Sequence, residues 1–249
     1  MTQLITTAVD AGIAIVEMHR PPANFFDLEL LTELADAVLA LDSNVDARSI
    51  VLCSEGRHFC AGADLRGMDA DAIRSVYRQA LRLFSGRKPI VAAVQGRAVG
   101  GGLGLAMVAD FRVVAIDAKL TANFARLGFH QGFGLTVTLP RAVGEQHALE
   151  LLYTGREVSG AEAASIGLCD RAVDDDPRTA ALELAGRIAA SAPLAVTAIR
   201  RTMRRELLGR VAEALDIEAS AQASLLETAD FAEGLAASIG KREPLFRGH

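Results

Sequence analysis

The stretch VGGGLGLAMVAD, residues 99–110, sets three consecutive glycines directly before an uncharged apolar run, with a fourth glycine at position 104. The run from Ala98 to Ala109 is too short to cross a bilayer, and Arg97 and Asp110 bracket it. It therefore reads as a buried helix. Glycines at the start of a buried helix leave backbone N–H groups open, because the first N–H groups of a helix have no partner within it. Phosphate binding is one use of such a turn. The specific phosphate signatures fail here. No lysine lies between Lys88 and Lys119, so there is no GxxxxGK[ST], and Leu105 stands where GxGxxG from Gly100 needs a glycine. The remaining chemical use is to stabilise negative charge on a carbonyl oxygen, which needs a second donor from elsewhere in the chain. HFCAGADL, residues 58–65, is the natural source: a second turn of small residues, placed just after a short apolar run.

Working outward, ITTAVDAGIAIVEMHR reads as two strands around a turn at Asp10-Ala11-Gly12. Asp27 is placed to cap a helix with Leu28, Leu31, Ala35, Val38 and Leu41 on its inner face. SIVLCSEG and PIVAAVQG read as buried strands. Between them, Ile73, Val76, Tyr77, Ala80, Leu81 and Phe84 give a helix its inward face, and DFRVVAI adds a further strand. Continuous apolar strands alternating with helices over about residues 45–120 imply a mainly parallel α/β sheet covered on both faces. After about residue 140 the pattern turns mostly helical, with Ser159 and Glu162 forming a capping box.

The chain has 249 residues and a formal net charge of −5, which argues against a nucleic-acid binder. Three cysteines without CxxC spacing fit neither a disulfide framework nor a metal site. The N-terminal residues show no basic flank followed by a long apolar stretch. We expect a cytoplasmic protein without a membrane span.

HFCAGADL (58–65) followed by PIVAAVQGRAVGGGLGLAMVADFRVVA (89–115), and then LPRAVGEQHALELLYTGREVSGAEAASIGLCDRAV (139–173), resembles the crotonase superfamily, the enoyl-CoA hydratase/isomerase family. The resemblance runs over essentially the whole chain. It implies a spiral of ββα units over residues 1–190 that binds an acyl-CoA thioester. Residues 191–249 would be a helical oligomerisation region, forming a homotrimer or a dimer of trimers. Coenzyme A would enter as part of the substrate, with no separate cofactor and no metal. The resemblance puts the oxyanion donors at the N–H groups of Ala63 and Gly101. It puts substrate contacts at Ala23, Ala61, Gly62, Asp64, Leu65, Arg66, Gly100, Gly104, Phe124 and Gly132. Basic residues near the C-terminus, here Lys241 and Arg242, approach a neighbouring subunit's nucleotide in relatives.

The departures bear on the reaction. Hydratases of the family flank a catalytic water with two glutamates. The aligned positions here are Gly104 and Phe124, and no acidic residue stands between Asp117 and Glu145. Proton transfer needs a titratable group within hydrogen-bond reach. His130 is the leading replacement because its ordinary pKa lies near neutrality, with Gln131 beside it. Phe25, Phe26, Phe124, Phe129 and Phe133 are candidates for an acyl pocket. Three functional readings follow: an enzyme that stabilises a thioester enolate without ordinary hydration, a non-catalytic acyl-CoA-binding or carrier protein, and a hydratase that retains weak activity.

Overall fold

The computed structural model describes residues 3–65 and 67–249. The chain opens on a hairpin of β1 (Ile5–Asp10) and β2 (Ile13–Met18), paired antiparallel. Ala11 and Gly12 both have positive φ, 49° and 84°, the two-residue turn whose twist suits a hairpin. Helix α1 (Leu28–Ala40) begins where the Asp27 side chain accepts the Leu30 N–H at 3.0 Å. It buries Leu30, Leu31, Leu34, Ala35 and Val38. Leu28, expected on the inner face, is instead exposed: as the first helical residue it precedes the turn that meets the core.

Strands β3 (Ser49–Ser54) and β4 (Ile90–Val94) are buried at every position. With β6 (Phe111–Ala115) and the short β9 (Arg171–Val173) they complete a six-stranded sheet of order β1-β2-β3-β4-β6-β9, parallel from β2 onward. The apolar runs are explained by cover on both faces. Val51, Cys53, Val91, Ala93 and Val113 meet Ala181 and Ala185 of the helix Pro177–Ala189. Ile50, Leu52, Ile90, Ala92 and Val94 face the main core.

A second, three-stranded sheet is built from β5 (Arg97–Val99), β7 (Lys119–Thr121) and β8 (Glu157–Ser159). Each of β4 and β6 thus feeds a three-residue strand of the other sheet before the chain turns helical, which is the ββα repeat. The segment after β3 follows the same route with a single bridge, Cys60 to Ala98. Helices α2 (Ala70–Ser85) and α3 (Gly101–Val108) close the first two turns of the spiral. On α2, Leu81 is half-buried rather than fully inward. The C-terminal half is not purely helical, because β8 and β9 interrupt α4 (Leu135–Val143), α5 (Glu145–Thr154), α6 (Gly160–Ser165) and α7 (Pro177–Ala189). Ser159 caps α6 through the Glu162 N–H, as its spacing suggested. The 33-residue α8 (Pro193–Leu225) and then α9 (Ala229–Gly240) pack back over the spiral.

Asp110, at the end of α3, ties α8 to the sheet. Its carboxylate accepts the Ile90 N–H (2.8 Å) and pairs with Arg200 (2.7 Å) and Arg204 (2.9 Å), while Arg200 also donates to the Gly86 carbonyl. Removing one partner of a buried ion pair strands the other, at about 3–5 kcal/mol. Asp110→Ala is therefore expected to lower unfolding stability by about that amount, measured as the loss of urea midpoint at unchanged m-value.

Candidate active site

The two glycine-bearing turns meet at one place. Cys60 donates to Arg97 O and accepts from Val99 N, both at 3.0 Å, which lays residues 60–64 alongside β5. The approach is close: a Cβ on Gly102 would stand 2.1 Å from Cys60 O, so this position admits only glycine. Gly62 lies opposite, with φ +104°. A Cβ there would be 2.8 Å from Val99 O and 3.8 Å from Gly101 N. On the other side, Phe26 N donates to Gly62 O and Asp64 N donates to Phe26 O, both at 3.0 Å. Those two bonds bracket Ala63. The Ala63 N–H is therefore not the one turned to Phe26, and Ala63 lines the cavity. Gly101 is the first residue of α3, so its N–H has no partner within the helix. Gly100 reaches this geometry at φ +55°, with its own N–H held by Thr121 O at 2.8 Å.

The floor beneath the turns is braced by a buried asparagine. The Asn24 amide donates to Glu55 O (2.8 Å) and His58 O (2.6 Å), and its oxygen accepts the Arg20 N–H (3.0 Å). Ala61 N donates to Ala23 O at 2.9 Å. Cys60 is fully buried, and burial pushes its thiol pKa up to about 12, so it packs as an apolar group rather than acting as a nucleophile.

Both turns open onto a cavity of about 580 Å³. Of the residues expected at the substrate, Ala61, Gly62, Ala63, Asp64, Leu65, Gly100, Gly101, Phe124 and Gly132 line it. All five phenylalanines singled out in the sequence line it too. Ala23 supports the loop from behind, and Arg66 lies outside the described residues. His130 and Gln131 are not in the lining. The His130 Nδ1 sits 2.7 Å from Gln131 O, and the Gln131 amide donates to Thr136 Oγ1 at 3.2 Å. His58 is also outside the lining. Burial, then Arg57 and Arg97, hold its pKa below the ordinary histidine value.

Gly104 does not line the cavity either, and the reason is steric. A Cβ at 104 would stand 2.5 Å from the Phe133 Cβ and 3.1 Å from its Cγ. Phe133 is fully buried, has φ +60°, and packs its ring 5.4 Å from that of Phe26. The space a side chain at 104 would enter is thus filled by an aromatic ring. The Phe124 ring lies 3.7 Å from where a Cβ on Gly100 would be.

Sequence reasoning missed the far wall. Gln222 on α8 accepts the Tyr77 hydroxyl (2.8 Å) and donates to His130 O (2.8 Å), and α9 adds Leu235, Ser238 and Ile239. Burial, followed by the charge of Glu218, pushes the Tyr77 pKa up, so Tyr77 is a fixed donor and not a proton shuttle. A glutamine on the buried side of a long helix was the available signal. Glu218, one turn earlier, is buried and accepts Gly134 N (2.8 Å) and Thr136 N (2.9 Å) at the start of α4. Among the described lining residues Asp64 is the one carboxylate.

The comparisons agree with this architecture. The family model described as enoyl-CoA hydratase/isomerase matches residues 8–249. A probable enoyl-CoA hydratase of Bacillus subtilis is 35% identical over 254 residues, covering 98% of each chain. A crotonyl-CoA hydratase of Syntrophomonas wolfei is 34% identical over 244 residues, covering 94% of each. The crystal structure of an enoyl-CoA hydratase/isomerase from Pseudoalteromonas atlantica superposes with TM-score 0.88 at 29% identity, covering 98% of this chain and 100% of that one. The paired turns, the two-sheet spiral and a match that runs to the last residue place this chain in the enoyl-CoA hydratase/isomerase family of the crotonase superfamily.

Proposed function

We propose that this protein binds an acyl-CoA thioester and holds its carbonyl oxygen between the N–H groups of Ala63 and Gly101. It does so in a reaction that does not add water by the two-glutamate route. The observation that carries the reading is the cavity itself: two backbone turns face it, and its walls are aromatic and aliphatic. Donors fixed by the fold need no reorganisation as charge grows on the oxygen, so they lower the barrier to forming an enolate. The electrons of that enolate must come from a bond that breaks. With glycine at 104 and phenylalanine at 124, the best-supported source is the substrate. In a 2-carboxyacyl thioester the bond to the carboxylate breaks with release of CO2; in a 3-oxoacyl thioester water first adds to the 3-carbonyl and the fragment leaves as a carboxylic acid. Either way the electron pair stays on the α-carbon, delocalises onto the held oxygen, and the α-carbon then takes up a proton from water. His130 and Gln131 stand outside the cavity lining, and this reading assigns them no step.

The alternative, a non-catalytic acyl-CoA carrier, is favoured by one observation: Asp64 is the single carboxylate among the described lining residues. The two readings part in one assay. Purified protein is given crotonyl-CoA, a 2-carboxyacyl-CoA and a 3-oxoacyl-CoA. The expected outcome is no hydration of crotonyl-CoA above the solution rate, with cleavage of one of the other two. Hydration at ordinary enzyme rates, on the order of 1–10³ per second, would sink the reading. Binding of all three without turnover would favour the carrier.

The held carbonyl has its own signature. Infrared difference spectra of a 1-¹³C-acyl-CoA should show the thioester stretch moved to lower frequency on binding, since two N–H donors weaken the C=O bond. An unmoved band on bound ligand would remove Ala63 and Gly101 from the role.

Restoring a glutamate at 104 is expected to fail. Gly104→Glu drives atoms into Phe133, and overpacking of this kind costs about 1–3 kcal/mol. The variant should melt several degrees lower in a thermal scan without gaining hydration, and Gly104→Ala should already melt lower, because the nearest atom is the Phe133 Cβ.

The protein is proposed to assemble as a homotrimer or a dimer of trimers. Support comes from large apolar side chains exposed along the C-terminal helices, among them Leu194, Ile199, Met203 and Ile217 on α8 and Ile239 on α9. Sedimentation equilibrium should return three or six times the 26.3 kDa chain mass.

A further inference from the structure

A second cavity, of about 380 Å³, abuts the first and shares Arg97, Val99, Asn123, Leu127 and Ser238 with it. Its lining is electrostatically lopsided. Arg97, Arg126, Arg156, Lys241 and Arg242 face a single lining carboxylate, Glu157, which Arg97 engages at 2.8 Å. The remaining arginines are steadied from outside the lining. Arg126 pairs with Glu243 (2.7 Å), Arg156 with Glu150 and Glu162 (2.7 and 2.8 Å), and Arg242 with Glu233 (2.5 Å). Each of these arginines thus already has a carboxylate partner. Lys241 differs. It ends α9 at φ 51°, and among the described residues its ammonium has no ion pair.

The second observation is independent of charge. Thr121 lines this cavity, is 6% exposed, and its hydroxyl has no hydrogen-bond partner among the described residues. A buried hydroxyl left unpaired carries its full desolvation penalty, so it marks a place where a polar ligand atom belongs. The site is also tied to the reacting centre: Thr121 O is the acceptor that holds the N–H of Gly100, the residue before Gly101. Asn123, shared by both cavities, stands against Gly100, with its Oδ1 3.2 Å from where a Cβ would be.

We propose that the second cavity receives a carboxylate at the far end of the acyl chain, so that this protein selects thioesters of dicarboxylic acids over plain fatty acyl thioesters. The chain would run from the carbonyl held at Gly101 past Asn123. Its terminal carboxylate would accept from the Thr121 hydroxyl and the Lys241 ammonium, with Arg97 and Arg126 alongside. This inference rests on the acyl-CoA reading above. The same cationic lining could instead meet a phosphate of the nucleotide, and the test separates the two.

Calorimetric titrations of the full chain would compare succinyl-, glutaryl- and adipoyl-CoA with neutral acyl-CoA of matching length, with free CoA and with adenosine 3′,5′-bisphosphate. At one length the carboxyacyl-CoA should bind at least about tenfold more tightly than its neutral match, the scale of a charge-assisted contact. Lys241→Met, on an exposed helix end, and Arg126→Gln, on the rim, should each erase most of that advantage and leave free CoA binding unchanged. Equal affinities at every length, or an advantage that survives both substitutions, would overturn the proposal. So would a loss that falls equally on CoA and the bisphosphate, which assigns the cavity to the nucleotide. If no acyl-CoA binds at all, the acyl-CoA reading fails and takes this inference with it.

Discussion

Two hydrogen bonds between Cys60 and β5 decide the site. Arg97 O accepts the Cys60 N–H and Cys60 O accepts the Val99 N–H, both at 3.0 Å, which locks the turn at 60–64 to the strand that leads into α3. The two segments lie some forty residues apart in the sequence. Once they are locked, Gly102 must be glycine because its neighbour's carbonyl occupies the place of a side chain, and Ala63 and Gly101 come to the same cavity wall. The large parallel sheet does not make this contact itself. It delivers the ends of β3 and β4 side by side, and the short strands of the second sheet convert that adjacency into a meeting of backbones.

The same reasoning sorts the four glycines by what fills the space of a side chain. At Gly102 it is the Cys60 carbonyl, at Gly101 the Phe26 ring and at Gly100 the Asn123 amide oxygen. Gly104 serves Phe133. A glycine in the middle of a helix is unfavourable by about 1 kcal/mol relative to alanine, so its presence needs a compensating contact. That contact is the aromatic ring, held in place although Phe133 itself adopts a left-handed backbone, which is uncommon for a bulky residue. Residues 104 and 133 thus form one steric unit. A side chain at 104 would enter space that the Cβ and ring of Phe133 already occupy.

How much of this the sequence made legible depends on the range of the interaction. Helix caps at Asp27 and Ser159, the hairpin at Ala11-Gly12 and the fully buried β3 and β4 are local signals, and they appear where the residues place them. The three-residue strands β5, β7, β8 and β9 escaped because so short a run carries no periodicity. That glycine stands at 104 and phenylalanine at 124 was plain from the sequence, but what fills the space beside Gly104 was not. Gly104 and Phe133 are 29 positions apart, and only the fold shows that one fills the space of the other. The far wall was invisible for the same reason. Tyr77, Gln222 and His130 form a hydrogen-bonded chain drawn from α2, α8 and the loop before α4.

That chain bears on how the C-terminal helices serve the site. Gln222 uses both ends of its amide within the protein, Oε1 for the Tyr77 hydroxyl and Nε2 for the His130 carbonyl. Four residues before it, Glu218 takes the N–H groups of Gly134 and Thr136. Between them, consecutive turns of α8 grip the loop 130–136 at three backbone groups, and Phe133 lies inside the gripped segment. A left-handed phenylalanine is retained only where its surroundings over-determine it. The ring that excludes a side chain at 104 is therefore held from the C-terminal helix. In this chain α8 is thus part of the cavity wall, and the packing beside the glycine-rich turn is set more than a hundred residues further along.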